Sequence, residues 1–256
     1  MSNEAGSPIW YELITPDPDG AKRFYDSVIG WSIEAAPSGD MDYRMITAQD
    51  GLTGGVLRLT EDMRAEGAAP AWLVYVSVTD VDATAAQATR LGGRIFVPPH
   101  DLPGVGRFAL LSDPHGALLY VMRTTGTDTS RAFAPGHTGH CGWNELVTSD
   151  MPAALAFYGA LFGWENRETM QLGAMGAYHF LDLGNTRLGA AAEMTSEPAH
   201  WNLYFTVPDI DAAASAVRAG GGTIDMGPIE VPTGERILLG TDPQHAKFAL
   251  VSPART

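Results

Sequence analysis

The chain has 256 residues, of which 45% are hydrophobic and 18% are charged; this predicts a globular protein with one large domain or two of about 120 residues. The formal net charge of −14 argues against a protein that binds the nucleic-acid backbone, because such binding requires a basic surface. The single cysteine, Cys141, excludes an intramolecular disulfide framework and an all-cysteine metal site.

The first predicted element is a strand that ends with Glu12-Leu13-Ile14-Thr15, followed by Asp17 and a helix over 20–28. An aspartate just before a helix can accept hydrogen bonds from the first free backbone N–H groups. Gly30 follows the helix, where a left-handed C-cap is expected. The same order of strand, aspartate, helix and glycine then begins again at Asp80.

Two further copies of this pattern begin at Asp150 and Asp209. The later copies predict helices over 83–91, 152–162 and 212–219. In the second copy three short strands follow the helix, over 94–97, 108–111 and 118–122. The sequence therefore predicts an α+β protein built from four βαβββ modules.

The four modules form two tandem halves. Trp10-Tyr11-Glu12-Leu13 recurs as Trp143-Asn144-Glu145-Leu146, at an offset of 133 (145 − 12). Later positions repeat at an offset of 129, as Trp72 does with Trp201 (201 − 72). We predict a first domain at 8–123, a polar linker at 124–139 that crosses the surface, and a second domain at 140–253.

The paired modules, the Phe24-Tyr25 of the first helix and the Asp113-Pro114-His115-Gly116 turn resemble the glyoxalase/bleomycin resistance/dioxygenase superfamily, also called vicinal oxygen chelate proteins. The stretch from Pro98 to Phe108 is similar to a two-domain, glyoxalase-like subgroup common in actinobacteria. The resemblance implies sheets curled into half-open barrels, with ligand bound on the concave face. It does not imply one reaction, because the superfamily contains isomerases, lyases, dioxygenases, thiol transferases and drug-sequestering proteins.

The resemblance also implies where a divalent metal would be held by inward-facing His or Glu residues. In this sequence the corresponding positions carry residues that are poor ligands or cannot coordinate a cation: Trp10, Trp143, Leu73, Asn202, Tyr120 and Ala249. We therefore expect no cofactor and predict no metal ligands, while a divalent metal at a non-standard site stays open.

Glu12 and Glu145 are the candidate catalytic residues. Each lies two positions after a tryptophan, so strand alternation places it on the same inward face as that ring. A carboxylate in a cavity is costly unless it is paired, hydrated or used. Each glutamate could be a general base, a group that orients a ligand or a metal ligand. The structural alternative is an ion pair with Arg107 or Arg236, or a single carboxylate contact across the pseudo-twofold.

Aromatic side chains provide the candidate ligand-binding surface. Strand alternation places Trp10, Tyr75, Tyr120, Trp143 and Tyr204 on the concave faces. His200 and Asn202 share the side of Tyr204 and complete the candidate set. The alternative is that these rings simply fill a closed barrel. Trp31 and Trp164, which follow the first helix of each half, are expected in the core.

Three functions remain open from the sequence. The first is binding or sequestration of a small, partly aromatic molecule without metal, as in bleomycin resistance. The second is a lyase, isomerase or oxygenase that uses Glu12 or Glu145 as a base or as a ligand of a non-standard metal site. The third is a degenerate domain that acts through protein contacts.

The expected partner is a small-molecule ligand, with no nucleic acid and no membrane. No stretch of about 18 apolar residues predicts a membrane span, and the first ten residues lack the features of a secretory signal. We therefore expect a soluble cytoplasmic protein. Four modules in one chain already supply the pairing of modules, which favours a monomer (a pseudo-dimer), with a homodimer as the alternative.

Overall fold

A computed structural model describes residues 3–37, 41–172 and 176–254. The first half of the chain contains β1 (Pro8–Thr15), α1 (Pro18–Val28), β2 (Ser32–Ile33), β3 (Tyr43–Ala48), β4 (Gly51–Arg58), α2 (Glu61–Ala65), β5 (Ala71–Ser77), α3 (Val81–Arg90), β6 (Arg94–Leu102), β7 (Gly106–Ser112) and β8 (Leu118–Thr124). The second half contains β9 (Cys141–Thr148), α4 (Met151–Phe162), β10 (Thr169–Gln171), β11 (Ala177–Leu183), β12 (Thr186–Glu193), β13 (His200–Thr206), α5 (Ile210–Ala219), β14 (Thr223–Glu230), β15 (Arg236–Thr241) and β16 (Lys247–Ser252).

The predicted α+β fold is confirmed, with an eight-stranded mixed sheet in each half. The strand orders are β2-β3-β4-β1-β5-β8-β7-β6 and β10-β11-β12-β9-β13-β16-β15-β14. Equivalent strands hold equivalent places in the two orders, as the duplication predicts. Neither order returns to its first strand, so both sheets are open rather than closed barrels. Every helix in the described part of the chain is too short or too polar to serve as a membrane crossing.

The four helix-starting aspartates are N-caps, as predicted. The acceptor in each case is a side-chain oxygen and the donor a backbone N–H in the first turn: Asp17 with Gly20, Asp80 with Ala83, Asp150 with Ala153, and Asp209 with Asp211 and Ala212. The donor–acceptor distances lie between 2.8 and 3.1 Å. Each cap satisfies backbone groups that the helix itself leaves unbonded.

The double glycines after α3 and α5 have two separate roles. Gly92 and Gly221 adopt the left-handed conformation, with φ of 92° and 84°, which costs glycine little. At Gly93 and Gly222, in contrast, neighbouring atoms occupy the space that a Cβ would need. A Cβ on Gly93 would lie 2.5 Å from the Ser112 carbonyl oxygen, so the second glycine is required for packing and not for its φ angle.

The fold divides into two compact units that do not coincide with the sequential halves. Unit 1 comprises Met1–Ile9, Val74–Ser130 and Trp143–Asn202, and unit 2 comprises Trp10–Leu73, Arg131–Gly142 and Leu203–Thr256. Each unit therefore combines modules from both halves of the sequence. The domain division at 8–123, 124–139 and 140–253 describes the repeat and stays a prediction.

The core of unit 2 contains a hydrogen-bonded chain of buried polar groups. The Tyr25 hydroxyl donates to Asp242 Oδ2 at 2.9 Å, and the Trp72 indole N–H donates to the Tyr25 oxygen at 2.9 Å. The second oxygen of Asp242 accepts from the backbone N–H groups of Gln244 and Ala246. Burial raises the pKa of Asp242 above its usual range. Asp242, in a turn of the second half, thus binds Tyr25, which lies on α1 of the first half.

Unit 1 repeats this contact with the roles of the halves exchanged. The Tyr158 hydroxyl on α4 donates to Asp113 Oδ2 at 3.1 Å. Asp113 Oδ1 accepts from the backbone N–H groups of His115 and Ala117, which shapes the turn before β8. Burial, with the Asp113 charge nearby, raises the pKa of Tyr158, so its hydroxyl stays neutral.

The second part of the predicted linker is partly exposed and partly buried. Residues 124–129 are exposed, but Ala132 and His140 have no exposed surface. The indole N–H of Trp31 donates to the Gly139 carbonyl at 2.7 Å, and Asp50 accepts from Arg131 and lies 2.6 Å from His140 Nε2. A segment without periodicity is thus held here by side chains from distant parts of the chain.

The predicted core positions of Trp31 and Trp164 are confirmed. They are 4% and 6% exposed. The Trp164 indole N–H donates to the Gly6 carbonyl at 2.8 Å, as that of Trp31 does to Gly139. Each tryptophan therefore anchors the segment that leads into the first strand of a half.

Candidate functional site

The second half contains a hydrogen-bonded group of four side chains, Trp143, Glu145, Tyr178 and Asn202, which we name the Glu145 cluster. The indole N–H of Trp143 donates to the Tyr178 oxygen at 3.0 Å. The Tyr178 hydroxyl donates to Glu145 Oε2 at 2.6 Å, and Asn202 Nδ2 donates to Glu145 Oε1 at 3.0 Å. Three strands, β9, β11 and β13, supply these residues.

The sequence pattern explains how β9 presents its two members. Trp143 and Glu145 are two positions apart on one strand and so point to the same face. Glu145 is paired in register with Ala190 on β12, and Tyr178 with Ala192 on the same strand. The small side chains of β12 leave room for the tyrosine of β11 to reach the glutamate of β9. All three of Trp143, Glu145 and Tyr178 are half-buried.

The electrostatics of the Glu145 cluster fix the protonation state of its tyrosine. Burial, and then the nearby Glu145 charge, raise the pKa of Tyr178 far above its ordinary value. Tyr178 is therefore a neutral hydroxyl at pH 7 and donates its proton to the carboxylate. Two donors on opposite oxygens hold the Glu145 carboxylate in one orientation.

The first half contains a related group, Trp10, Glu12 and Tyr43, which we name the Glu12 cluster. The indole N–H of Trp10 donates to the Tyr43 oxygen at 2.8 Å. Glu12 is 2% exposed and is paired in register with Gly55 of β4. A Cβ on Gly55 would collide with the Tyr43 hydroxyl, so the tyrosine lies directly over the strand next to Glu12.

Other predicted ligand-binding residues form contacts with one another. The rings of Tyr75 and Tyr120 are stacked, with centroids 4.1 Å apart and planes inclined by 13°. The Phe108 ring packs against both tyrosines and also contacts His100. Tyr75 and Tyr120 are 7% and 4% exposed, so they present little surface to solvent.

Tyr204 and His200, both on β13, have different surroundings. Tyr204 is 3% exposed and is paired in register with Ala249, where the equivalent strand pair of the first half has Tyr75 with Tyr120. His200 is half-buried, and its Nδ1 lies 2.8 Å from the Pro198 carbonyl oxygen, two residues earlier in the chain.

The predicted structural pairing of the glutamates with arginine is wrong. Arg107 forms its ion pairs with Asp82 at 2.7 Å and Asp101 at 3.1 Å, and Arg236 forms one with Asp211 at 2.6 Å. Asp82 and Asp211 lie in the first turns of α3 and α5, which approach β7 and β15. Arg107 and Arg236 are thus paired with aspartates in the first turns of α3 and α5. Glu145 instead accepts hydrogen bonds from the neutral side chains of Tyr178 and Asn202.

Tyr43 and Tyr178 are the members of the two clusters that the sequence reasoning missed. They are equivalent in the repeat, at an offset of 135 (178 − 43). A comparison of β3 with β11 across the two halves could have identified them. No single-strand pattern does so, because the two strands follow segments of different length.

The side chains at the family's metal positions do not suit a divalent ion. Trp10 and Trp143 present N–H groups that are already donated to tyrosine, and an indole nitrogen has no lone pair to offer a cation. Within residues 3–37, 41–172 and 176–254, no three His, Cys, Asp or Glu side chains are grouped closely enough to hold a metal ion. We therefore derive no chemical step through a metal at the usual position.

An open groove of about 530 Å³ lies elsewhere, along the β6–β7 hairpin and the end of β8. Its lining includes Asp101, Arg107 and Arg123, and it contains no member of either glutamate cluster. The glutamate clusters are the better candidate ligand sites, because the groove is shallow and Arg107 is already bound to two aspartates.

Comparison with known proteins identifies the family. Residues 8–121 and 136–250 match the model of the Glyoxalase/Bleomycin resistance protein/Dioxygenase superfamily. Putative glyoxylase CFP32 of Mycobacterium tuberculosis is 34% identical over 253 residues, covering 97% of this chain and 95% of the relative. The anthracycline biosynthesis protein DauV of Streptomyces sp. is 30% identical over 261 residues, covering 96% of this chain and 93% of that protein.

Solved structures share the fold at low sequence identity. The Mn(II)-bound glyoxalase from Novosphingobium aromaticivorans superposes with a TM-score of 0.65 at 18% identity, over 99% of this chain and 84% of that one. The 2,3-dioxygenase LapB from Pseudomonas sp. KL28 superposes with a TM-score of 0.64 at 13% identity, over 98% of this chain and 94% of that one. With the family model matching both halves, the chain belongs to the glyoxalase/bleomycin resistance protein/dioxygenase superfamily.

Proposed function

We propose that the protein binds a small, partly aromatic molecule that carries hydroxyl or keto groups, and that the Glu145 cluster orients it without a metal ion. The observation that carries this proposal is the Glu145 carboxylate, held by Tyr178 and Asn202 beside the half-buried Trp143 indole. An apolar ring surface next to a few fixed polar groups is typical of small-molecule sites.

The chemistry of the cluster fits such a ligand. The Trp143 ring supplies a flat surface on which an aromatic ligand can stack. The carboxylate accepts from a ligand hydroxyl, and an amide can donate to a keto or phenolic oxygen. Because Tyr178 and Asn202 already fix the orientation of the carboxylate, little further ordering is needed on binding. One relative is named for anthracycline biosynthesis, and anthracyclines are flat aromatic compounds with hydroxyl and keto groups.

The test is a titration of the full-length protein with 2,3-dihydroxynaphthalene, followed by tryptophan fluorescence and by isothermal titration calorimetry. We expect saturable binding of one equivalent. The Glu145→Gln variant should bind at least about tenfold more weakly, since a hydrogen bond to a charged acceptor contributes roughly 1.5–3 kcal/mol. Absence of saturable binding by the parent protein, tested also with mono- and tricyclic phenols, would refute the proposal.

Metal independence is tested on the same complex. We expect the same dissociation constant after dialysis against EDTA and after addition of Mn²⁺, Fe²⁺ or Zn²⁺. Elemental analysis of protein purified without a metal-affinity tag should find less than stoichiometric metal. A stoichiometric metal whose removal abolishes binding would contradict this part of the proposal and would make Glu12 and Glu145 the first candidate ligands.

An enzyme is the second candidate, and the 2.6 Å hydrogen bond between Tyr178 and Glu145 is the observation that favours it. Glu145 would accept a proton from a carbon next to a carbonyl group and return it to a neighbouring carbon, which is an isomerisation with no net loss of atoms. Tyr178 would hold the carboxylate during the transfer. Exchange of substrate hydrogen for solvent deuterium, lost in Glu145→Gln, would distinguish the enzyme from a binding protein.

A further inference from the structure

The two glutamate clusters are equivalent in sequence but not in chemistry. The position of Asn202 in the second half is Leu73 in the first, at the offset of 129 (202 − 73). Asn202 donates to Glu145, whereas a leucine has no group that can donate a hydrogen bond. Both clusters contain a tryptophan, a tyrosine and a glutamate, and in both the indole N–H donates to the tyrosine oxygen.

The two glutamates also differ in burial, and Glu12 is the more deeply buried of the two. Glu12 is 2% exposed and Leu73 is 5% exposed. Glu145 is half-buried, and Asn202 is 9% exposed. Glu145 therefore keeps some exposed surface, while Glu12 is enclosed.

The amide of Asn202 has hydrogen-bonding capacity beyond its contact with Glu145. One of its two N–H groups is used by Glu145 Oε1. A primary amide carries a second N–H donor and a carbonyl acceptor. A donor and an acceptor on one rigid group match a phenolic hydroxyl, which also accepts and donates.

From this asymmetry we infer that the polar ligand site belongs to the second half alone, and that Asn202 is the residue that makes it specific for hydroxylated aromatic molecules. The inference rests on the proposed function, which assigns small-molecule binding to the protein. In the first half, Trp10 and Tyr43 are half-buried, as Trp143 and Tyr178 are, but Leu73 offers no hydrogen-bonding group and Glu12 is enclosed. The two halves of the duplicated chain have thus diverged into one binding half and one structural half.

The experiment compares two ligands and a matched pair of variants in the full-length protein. The ligands are 2,3-dihydroxynaphthalene and its dimethyl ether, which has the same rings but no O–H donor. The variants are Asn202→Ala and Leu73→Ala, which truncate equivalent positions of the two halves. Affinities are measured by calorimetry, and melting temperatures by circular dichroism.

We expect Asn202→Ala to weaken binding of the dihydroxy compound by about five- to tenfold, as for the loss of one hydrogen bond, and to weaken binding of the dimethyl ether, which can accept but not donate, by clearly less. Leu73→Ala should lower the melting temperature through the lost packing and leave both affinities unchanged. Asn202→Leu, which introduces the residue of the first half, should reproduce the effect of Asn202→Ala without leaving a cavity.

The outcomes separate the two proposals. If the parent protein binds neither compound nor any other phenol, the proposed function fails and the inference fails with it. If the parent protein binds but Asn202→Ala and Asn202→Leu weaken both compounds equally, or weaken neither, the inference alone is overturned. Loss of affinity in a Leu73→Ala protein that remains folded would likewise overturn it.

Discussion

Some buried polar side chains in this protein form their hydrogen bonds with only one or two partners. Arg44 on β3 has a side chain with no exposed surface, and it bonds both oxygens of Asp42 and one oxygen of Asp19. Tyr25 is equally buried and lies between Trp72 and Asp242. Such groups contribute little net free energy when all partners are present, and their loss is costly when one partner is left unbonded in the interior.

Replacement of Tyr25 by phenylalanine removes the hydroxyl that Trp72 and Asp242 share. We expect a loss of about 1–3 kcal/mol in the free energy of unfolding, because a buried acceptor and a buried donor lose their partner. Tyr158→Phe is the matched variant in unit 1. Chemical denaturation of both proteins measures the effect, and an unchanged midpoint for Tyr25→Phe would contradict the prediction.

The Arg44–Asp42 ion pair makes stability depend on pH. Hydrogen bonds from Arg44, and then from Arg58, hold the pKa of Asp42 below its ordinary value of 3.8. A lowered folded pKa stabilises the protein above pH 3.8, and this contribution is lost as the pH falls through the lower folded value.

We expect Arg44→Met to lose about 1.5–3 kcal/mol at pH 7 and to show a weaker decline of stability between pH 4 and pH 2 than the parent. Urea denaturation across that range measures both effects. The exposed ion pair of Arg167 and Glu165 provides the control, since Arg167→Met should change stability by at most about 1 kcal/mol. An acid profile of Arg44→Met parallel to that of the parent would argue against the assignment to Asp42.

At the scale of elements, caps and the glycines that follow the helices determine where the helices begin and end. The aspartates at 17, 80, 150 and 209 could be identified from the sequence because capping involves residues within three positions of one another. The short helix α2 (Glu61–Ala65) was not predicted, because five residues carry no periodic apolar pattern. Its N-cap, Thr60, accepts from Met63, and none of its residues is buried.

Removal of a cap should destabilise its helix by a small and measurable amount. Asp80→Ala removes the acceptor for the Ala83 N–H on α3, and we expect a loss of about 1 kcal/mol, or roughly 2–4 °C in melting temperature for a chain of this size. Asp128→Ala, in the exposed part of the linker, is the control and should leave the melting temperature unchanged. Equal effects of the two substitutions would contradict the capping role.

At the scale of the whole molecule, each compact unit contains modules from both halves of the sequence. Tyr25 of the first half binds Asp242 of the second in unit 2, and Tyr158 of the second half binds Asp113 of the first in unit 1. The two halves are thus held together by buried contacts as well as by the linker.

This arrangement predicts that the protein survives a cut in its exposed linker segment. We expect a chain with a specific protease site inserted after Gly126 to remain a single species in gel filtration after cleavage, while denaturing electrophoresis separates two fragments. Since each unit contains residues from both fragments, their association does not require the covalent link. Separation of the fragments under native conditions would contradict the assignment of the units.

The candidate site was only partly predictable. Trp143 and Glu145 were placed on one face by their spacing of two, a property of any strand. Asn202 was a candidate because the resemblance puts it at a metal-ligand position and strand alternation puts it on the side of Tyr204, but its contact with Glu145 was not predicted. Tyr178 was not found, because its contact with Glu145 depends on how far β11 reaches across β12, and no local pattern encodes that distance.

The sequence by itself determined the modules, the tandem repeat, the four caps and the strand face that each glutamate shares with the tryptophan two positions before it, because these follow from short-range stereochemistry and from the register of the repeat. Only the tertiary structure decided that Tyr25 meets Asp242, that Arg107 binds the start of α3 instead of a glutamate, and that the segment around Gly139 is held by Trp31. These contacts join residues between 25 and 217 positions apart, and such pairings depend on the path of the whole chain.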